Sequence, residues 1–420
     1  MNLLFNSASH RLVVTSNDPK KQERLEVLDV IKAFALLGIF VLHVIGPFSG
    51  WAEYMLPDQK QLLPTAVFDV WINTGIHVLL AEKCRGAFSF LFGLAFYYQL
   101  QKAERQGAGF TGHFLKRLTF LFICGIFHAY LLFAGDVLRY YAICGLFLLL
   151  VYKWPPRRIL VLGITLLTVL PATFIVLSHH FPYSNLNFEK WQEVRNGFMS
   201  NSYIDLIKVN FFLDWRSQLH VYYKLQFLSV VLGQFLLGLW AAKKKVFSLV
   251  PHYQAKFTSL FWVGLVIGIL SFCITFSIDK VDFFRPYPEL TEIADSFFFL
   301  VGNQALVLCY ICGLTLLFQK ISWRKYLLII APTGRMSLTN YLLQSVIGAV
   351  VFYGVGLGHF GRLGPTISIP LTVVLFGGQV FFSRYWLRRF ELGPFEWLFR
   401  TVLQWNGQIK THNTVVKPLT

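Results

Sequence analysis

The chain is 420 residues long, 55% hydrophobic and 14% charged, with 17% aromatic residues and a mean hydropathy of +0.54. This balance lies outside the range of soluble globular domains and describes a polytopic membrane protein. The formal net charge of +17 does not point to nucleic acid, because the basic residues are clustered between apolar runs that are about 20 residues long, as a hydrocarbon core of about 30 Å requires.

The expected fold is all-α, a transmembrane helical bundle of about ten spans at 26–48, 84–101, 118–134, 137–152, 159–178, 225–242, 257–278, 294–318, 337–358 and 368–388. No alternating pattern suggests a lipid-facing barrel. An N-terminal segment (1–25), one transmembrane domain (26–390) and a C-terminal tail (391–420) are the expected units. The segments 1–25, 101–117, 153–158, 243–256, 319–335 and 384–420 hold 25 of the 38 Lys and Arg, and the opposite connections hold 8. This bias orients both termini toward the cytosol. The N-terminus lacks signal-peptide order, so the first apolar run is expected to be a retained anchor. The six cysteines fall in or beside spans and imply no disulfide framework. Cys309 and Cys312 have metal-like spacing, but without a second pair or a nearby His they are expected to be small core residues, and no metal is expected.

In chain order, the first polar constellation is Asp29, Lys32 and His43 inside the first span. Charge within hydrocarbon costs roughly 2.5–3.5 kcal/mol on insertion scales and marks a protein interior or an aqueous cavity. Lys32 and His43 are eleven residues apart, which places them on one helix face about 16 Å apart. Lys32 can neutralise Asp29 or anchor an anion near the cytosolic mouth, and His43 can serve as a general base. Residues 67–82 form a short amphipathic stretch with Asp69, Asn73 and His77 on one side. It is expected to lie at the outer interface, to dip into a cavity, or to present a solvated polar face. Lys83 and Arg85 open the second span on the external side, against the charge bias, and snorkelling to lipid phosphates is the simplest role for them.

The hairpin HAYLLFAGDVLR carries His128, Asp136 and Arg139, and Gly135-Asp136 requires spans three and four to pack antiparallel. On one continuous helix His128 and Asp136 would lie about 12 Å apart with azimuths differing by about 80°, so direct pairing is not expected. Asp136 is expected to serve Arg139 or to cap the next helix, and His128 to be a hydrogen-bonded core residue or a base. Residues 179–223 are expected to form amphipathic helices covering the outer face. Span nine carries a polar stripe of Ser337, Asn340, Tyr341, Gln344 and Ser345, with Arg335 at its cytosolic end. Interhelical hydrogen bonding accounts for the stripe, and a cavity lining with Arg335 facing a phosphate is the functional alternative. No phosphate-cradling Gly loop, zinc pattern or nucleophile elbow appears.

The runs LDVIKAFALLGIF, FSFLFGLAF, HAYLLFAGDVLRYYAICGL, GRMSLTNYLLQS and WLRRFELGPFEWLFR together resemble the YeiB family, bacterial inner-membrane proteins built on a domain of unknown function. That family is similar, more distantly, to membrane acyltransferases such as heparan-glucosaminide N-acetyltransferase and the enzymes that O-acylate envelope sugars. The latter carry an Arg followed eleven positions later by a catalytic His on the first span, a spacing that Lys32 and His43 occupy here with Lys in place of Arg. The closer family usually has Arg and Asn at those positions, which makes His128 and Asp136 the family-level candidates.

The resemblance implies an acyltransferase-like protein of the bacterial inner membrane. It would move an acyl group from a cytosolic acyl-coenzyme A to an envelope, carbohydrate or small-molecule acceptor. His43, His128 and Asp136 are the catalytic candidates. Asp29, Lys32, Lys83, Arg85, Arg139, Arg335, Asn340 and Gln344 are the binding candidates, with Lys32 and Arg335 holding the donor. Membrane lipids are the expected partners and nucleic acid is not. A transporter or exporter of a small metabolite, or a non-catalytic membrane protein, is the alternative, using the same polar groups.

Overall fold

The computed structural model describes residues 26–51, 60, 63, 65–107, 109–180, 188–278 and 287–404. The N-terminal segment and the last part of the C-terminal tail lie outside the described residues. The described residues are helical, with no strand among them. Helix α1 (Glu26–His43) passes into a π-helical turn at Val44–Phe48 and is followed by α2 (Ala66–Leu80), α3 (Lys83–Arg105), α4 (Phe110–Leu131) and α5 (Leu138–Val151). Next come α6 (Pro156–Leu167), α7 (Val169–His180), α8 (Phe188–Met199), α9 (Tyr203–Leu219) and α10 (Val221–Lys243). The chain continues through α11 (Val250–Thr275), α12 (Pro288–Gln319), α13 (Ile321–Arg335), α14 (Ser337–Phe352), α15 (Pro365–Arg389) and α16 (Pro394–Gln404).

Among the described residues, seven segments are long and apolar enough to cross a membrane: Glu26–Phe48, Phe110–Leu131, Pro156–Ser178, Val221–Lys243, His252–Thr275, Glu289–Gln319 and Pro365–Arg389. Each overlaps one expected span. The other three expected spans fall on α3, which is less apolar, and on α5 and α14, which are apolar but only 14 and 16 residues long. Large apolar side chains exposed on α6, α11 and α15, among them Val161, Trp262, Leu270, Val374 and Phe381, give the bundle a surface suited to lipid.

Helix α1 is the hub. Of its most apolar stretch, 72% is buried inside the protein, against 28% for Pro156–Ser178. It packs against α3, α13, α14 and α15, and Val30, Ile31, Ala33, Ala35, Leu36 and Phe40 are fully buried. Small residues bring the helices together. A methyl group on Gly334 of α13 would overlap the carbonyl oxygen of Asp29, and methyls on Gly93 of α3 and Gly238 of α10 would strike the carbonyls of Phe235 and Phe90. Backbone approach of this kind is how helices associate when lipid supplies no hydrophobic drive.

Contacts define two ends of the bundle. At the basic end Arg324 pairs with Glu26 at 2.9 Å, Lys243 donates to Trp154 O at 2.7 Å, and Arg335 donates to Glu391 O at 2.6 Å. There Glu396 of α16 accepts the backbone N–H groups of Leu338 and Thr339 at 2.8 and 3.2 Å and the Thr339 hydroxyl, capping α14. At the opposite end Gly361 N bonds to Ser49 O at 2.7 Å and Gly354 N to Phe198 O at 2.8 Å. Phe198 of α8 stacks on Tyr353 at 4.7 Å, and Val194, Leu206 and Val209 join the main core. Helices α8 and α9 are therefore packed into the bundle.

Helix α2 buries one residue of its polar side, Asp69, while His77 is exposed and Asn73 half-buried. Asp69 is fully buried and accepts the Thr366 N–H at 2.8 Å and the Thr65 hydroxyl at 2.8 Å, closing the start of α15, while Phe68 and Trp71 are exposed. The solvated-polar-face alternative fails for Asp69 and holds for the exposed His77. An unpaired carboxylate among apolar helices is costly, and the free Thr366 N–H in the first turn of α15, with the Thr65 hydroxyl, satisfies it.

Candidate functional site

The site forms where α4 stops. Leu132 N and Phe133 N both bond to His128 O, at 3.1 and 2.9 Å, which ends α4, and residues 132–137 carry the chain back into α5. Helices α4 and α5 then pack side by side, as the tight connection requires. Asp136 accepts the Arg139 N–H at 3.1 Å, opening α5 as a capping carboxylate. The same carboxylate meets His128 Nδ1 at 2.9 Å, and His128 Nε2 lies 2.8 Å from Ser345 Oγ in the middle of α14. The expectation that His128 and Asp136 would not pair is thus corrected. The separation of about 12 Å applies only to an unbroken helix, and this one ends three residues after His128.

All three groups are buried, at 2%, 3% and 0% exposure for His128, Asp136 and Ser345. A carboxylate only accepts, so Nδ1 carries the proton toward Asp136 and Nε2 is left to accept from the Ser345 hydroxyl. This is the arrangement of an oriented base and an activated hydroxyl. Arg139 lies 3.7 Å from Asp136 through Nε, forms a two-pronged ion pair with Asp214 of α9 and stacks on Tyr140 at 5.2 Å. The second imidazole, His43, stands across an aromatic cage. Its ring is 4.6 Å from Phe133 and 6.4 Å from Tyr341, and Tyr341 is 5.1 Å from His128. The π-helical turn after His43 contains Pro47 and brings Phe48 to 5.2 Å from Phe133. The buried Tyr341 Oη and His43 Nδ1 have no hydrogen-bond partner among the described residues.

The other expected site residues lie elsewhere. Asp29 and Lys32 pair at 3.5 Å near the basic end, and Arg335 is bonded to the 391 carbonyl. Asn340 and Gln344 stitch helices together: Asn340 Nδ2 reaches Ser383 Oγ at 2.9 Å, and Gln344 Nε2 reaches Leu36 O at 3.2 Å and Gln379 Oε1 at 3.3 Å. Lys83 does not snorkel. It is fully buried, donates to His77 O at 3.3 Å and lies over the rings of Phe272 and Phe299 at 4.6 and 5.7 Å, because the chain turns sharply at Glu82, whose φ is +64°. Partial burial, with Lys83 beside it, holds the His77 imidazole below its ordinary value. Arg85 pairs with Glu82 and rests on Phe227 at 4.4 Å. Cys309 and Cys312 are buried free thiols, and among the described residues no cluster of three or more His, Cys, Asp or Glu is placed to hold a metal. Ser345 belonged to the polar stripe without being singled out. Asp214 carried no local signal, since its partner is 75 residues away.

A buried polar relay inside an apolar helical bundle defines the class: an integral membrane protein of helical type. Residues 241–406, which contain Ser345 but not His128 or Asp136, match the family described as "Protein of unknown function (DUF418)". The chain is 29% identical over 413 residues to "Uncharacterized protein YxaH" of Bacillus subtilis (strain 168), covering 91% of this chain and 95% of that protein. It is 26% identical over 394 residues to "Uncharacterized protein YeiB" of Escherichia coli (strain K12), covering 90% and 96%. A 39.9 kDa protein of Bacillus acidopullulyticus is 25% identical over 393 residues, covering 90% and 93%. These likenesses support the YeiB family. No solved structure matches.

Proposed function

We propose that this protein is an acyl-group transferase of a bacterial inner membrane and that Ser345, His128 and Asp136 are its reacting relay. The observation that carries the reading is the His128 imidazole held between a carboxylate at 2.9 Å and a serine hydroxyl at 2.8 Å, all out of water. Nothing in the packing of a helix pair requires that order of groups, whereas nucleophilic acyl transfer does.

In the proposed reaction His128 Nε2 takes the Ser345 proton as Oγ attacks the carbonyl carbon of a thioester. The C–S bond breaks, the thiol leaves with the proton from His128, and the acyl group stays on Ser345 as an ester. An acceptor hydroxyl or amine then gives its proton to His128 and attacks the ester, and Ser345 is regenerated. The Tyr341 hydroxyl, whose proton is taken by no acceptor among the described residues, is the donor available to the carbonyl oxygen as it gains charge. With the basic end in the cytosol, Lys32 and Arg335 would meet the phosphates of an acyl-coenzyme A there. Ser345 has no exposed surface, so turnover requires the donor's chain to enter between α4 and α14.

Incubating the purified protein in lipid nanodiscs with radiolabelled acetyl-coenzyme A should place label on Ser345, identified by peptide mass spectrometry. Absence of label together with absence of binding by calorimetry ends the proposal. Substrate flux in proteoliposomes lacking any acyl donor would favour the transporter alternative instead.

A further inference from the structure

A cavity of about 1300 Å³ opens between α3, α7, α10 and α12, and none of the relay residues lines it. Its charged lining consists of Arg85 and Lys224 together with the carboxylates Glu82 and Glu292. Arg85 is held by Glu82 and by the face of Phe227 at 4.4 Å. Lys224 donates to Tyr140 Oη at 2.9 Å and has no carboxylate ion pair among the described residues. Beside them His220 is held below its ordinary value by burial first, and then by the neighbouring charges of Arg216 and Lys224. Amides also line the cavity. Gln304 is engaged by Gln234. Asn303 is only 2% exposed, and its Oδ1 has no partner among the described residues.

Buried polar atoms in native proteins are nearly always paired, so an orphaned amide oxygen lining a large cavity calls for a donor from outside the chain. A cavity-lining lysine whose hydrogen bond among the described residues goes to a phenol can also take an anion. Phe227 and Phe299 complete the lining with apolar surface for a carbon skeleton. We infer that this cavity binds a small organic anion that also carries hydrogen-bond donors, a phosphate or carboxylate with neighbouring hydroxyl groups. Lys224 and Arg85 take the anion and Asn303 takes a hydroxyl. The inference does not depend on the proposed relay, because it uses none of Ser345, His128, Asp136 and Tyr341.

Glycerol 3-phosphate is a suitable probe, since the same group occurs free and as the headgroup of phosphatidylglycerol. The full-length protein in phosphatidylcholine nanodiscs is titrated by calorimetry with glycerol 3-phosphate and, separately, with inorganic phosphate. In a second arm native mass spectrometry scores retention of phosphatidylglycerol from mixed nanodiscs. The expected result is saturable binding in one arm, weakened at least tenfold by Lys224→Met and by Asn303→Leu and unchanged by Lys208→Gln, which lies on the exposed surface of α9. Binding of the free compound assigns a soluble ligand, and retention of the lipid alone assigns a headgroup; either supports the inference. If Asn303→Leu does not fold, Ser296→Trp, which fills the cavity from α12, should abolish binding with the thermal transition retained. Three results overturn the inference: no saturable binding in either arm, binding within twofold of the parent in the folded variants, or inorganic phosphate binding as tightly as glycerol 3-phosphate.

Discussion

Replacing Asp136 by Asn tests the relay with almost no change of volume. The two carboxylate oxygens serve two hydrogen-bond donors, His128 Nδ1 at 2.9 Å and the Arg139 N–H at 3.1 Å, and face Arg139 Nε at 3.7 Å without a hydrogen bond. An amide has one accepting atom, and the Arg139 N–H with the guanidinium charge behind it claims that atom. The amide nitrogen then faces His128 Nδ1, which must accept, and the imidazole proton moves to Nε2. Ser345 would face a donor where it now has a base. Loss of the correct tautomer in such a relay lowers turnover on the order of 10⁴-fold, which is about 5.5 kcal/mol of lost transition-state stabilisation at about 1.36 kcal/mol per decade. Stability should change far less, because Arg139 keeps Asp214; the weakened charge-assisted bonds amount to about 1.5–3 kcal/mol. The assay is the rate of acyl labelling of Ser345 beside thermal denaturation of the same preparation. A folded Asp136→Asn protein that labels within tenfold of the parent refutes the relay.

Other expectations are narrower. His43→Asn should label within tenfold of the parent while His128→Gln abolishes labelling, since only His128 touches Ser345; the reverse pattern would move the base to His43. Lys83→Met should shift stability by less than about 1.5 kcal/mol in a denaturation series, because the buried cation has no carboxylate partner among the described residues and a volume-conserving apolar swap is well tolerated; loss of labelling without loss of fold would give Lys83 a chemical role. Glu396→Ala should lower stability by about 1–2 kcal/mol, the worth of a side chain that caps a helix N-terminus, measured as a shift in the thermal transition that Glu396→Gln largely restores. Gly238→Ala should cost about 1–3 kcal/mol by overpacking against the Phe90 carbonyl, and an unchanged transition would contradict the closeness of α3 and α10.

The spans were legible because hydrocarbon imposes length and apolarity on a local stretch, which a single segment displays. Short α5 and α14 could be placed because Gly135-Asp136 and the polar stripe mark their ends and faces. The pairing of Lys32 with Asp29 was legible from its i, i+3 spacing. The His128–Asp136 bond was not, because helical geometry was extended beyond Leu131, where the backbone ceases to be helical. Sequence marks the break only through Gly135, and the direction of the turn depends on tertiary contacts. Ser345 is 217 residues from His128 and Asp214 is 75 from Arg139, so no periodicity links them. Lys83 was misplaced because its placement rested on the expected orientation of the helix start, whereas the turn at Glu82 directs the side chain inward.

The relay also depends on a helix outside the spans. Tyr203, Asn210 and Asp214 of α9 are spaced by seven and four residues, which puts them on one face. All three hold the turn that carries Asp136: Tyr203 Oη donates to Leu131 O at 2.6 Å, Asn210 Nδ2 to Tyr130 O at 3.2 Å, and Asp214 receives Arg139. A buried ion pair contributes little net stability, because desolvation offsets attraction, yet removing one partner leaves a charge uncompensated at about 3–5 kcal/mol. Arg139–Asp214 is therefore better explained as a device of position. It fixes the guanidinium that faces Asp136, and through Asp136 it fixes the imidazole. Helix α9 thus sets the geometry of the relay, and a shift of α9 would be felt at Ser345 without any change in α4 or α14.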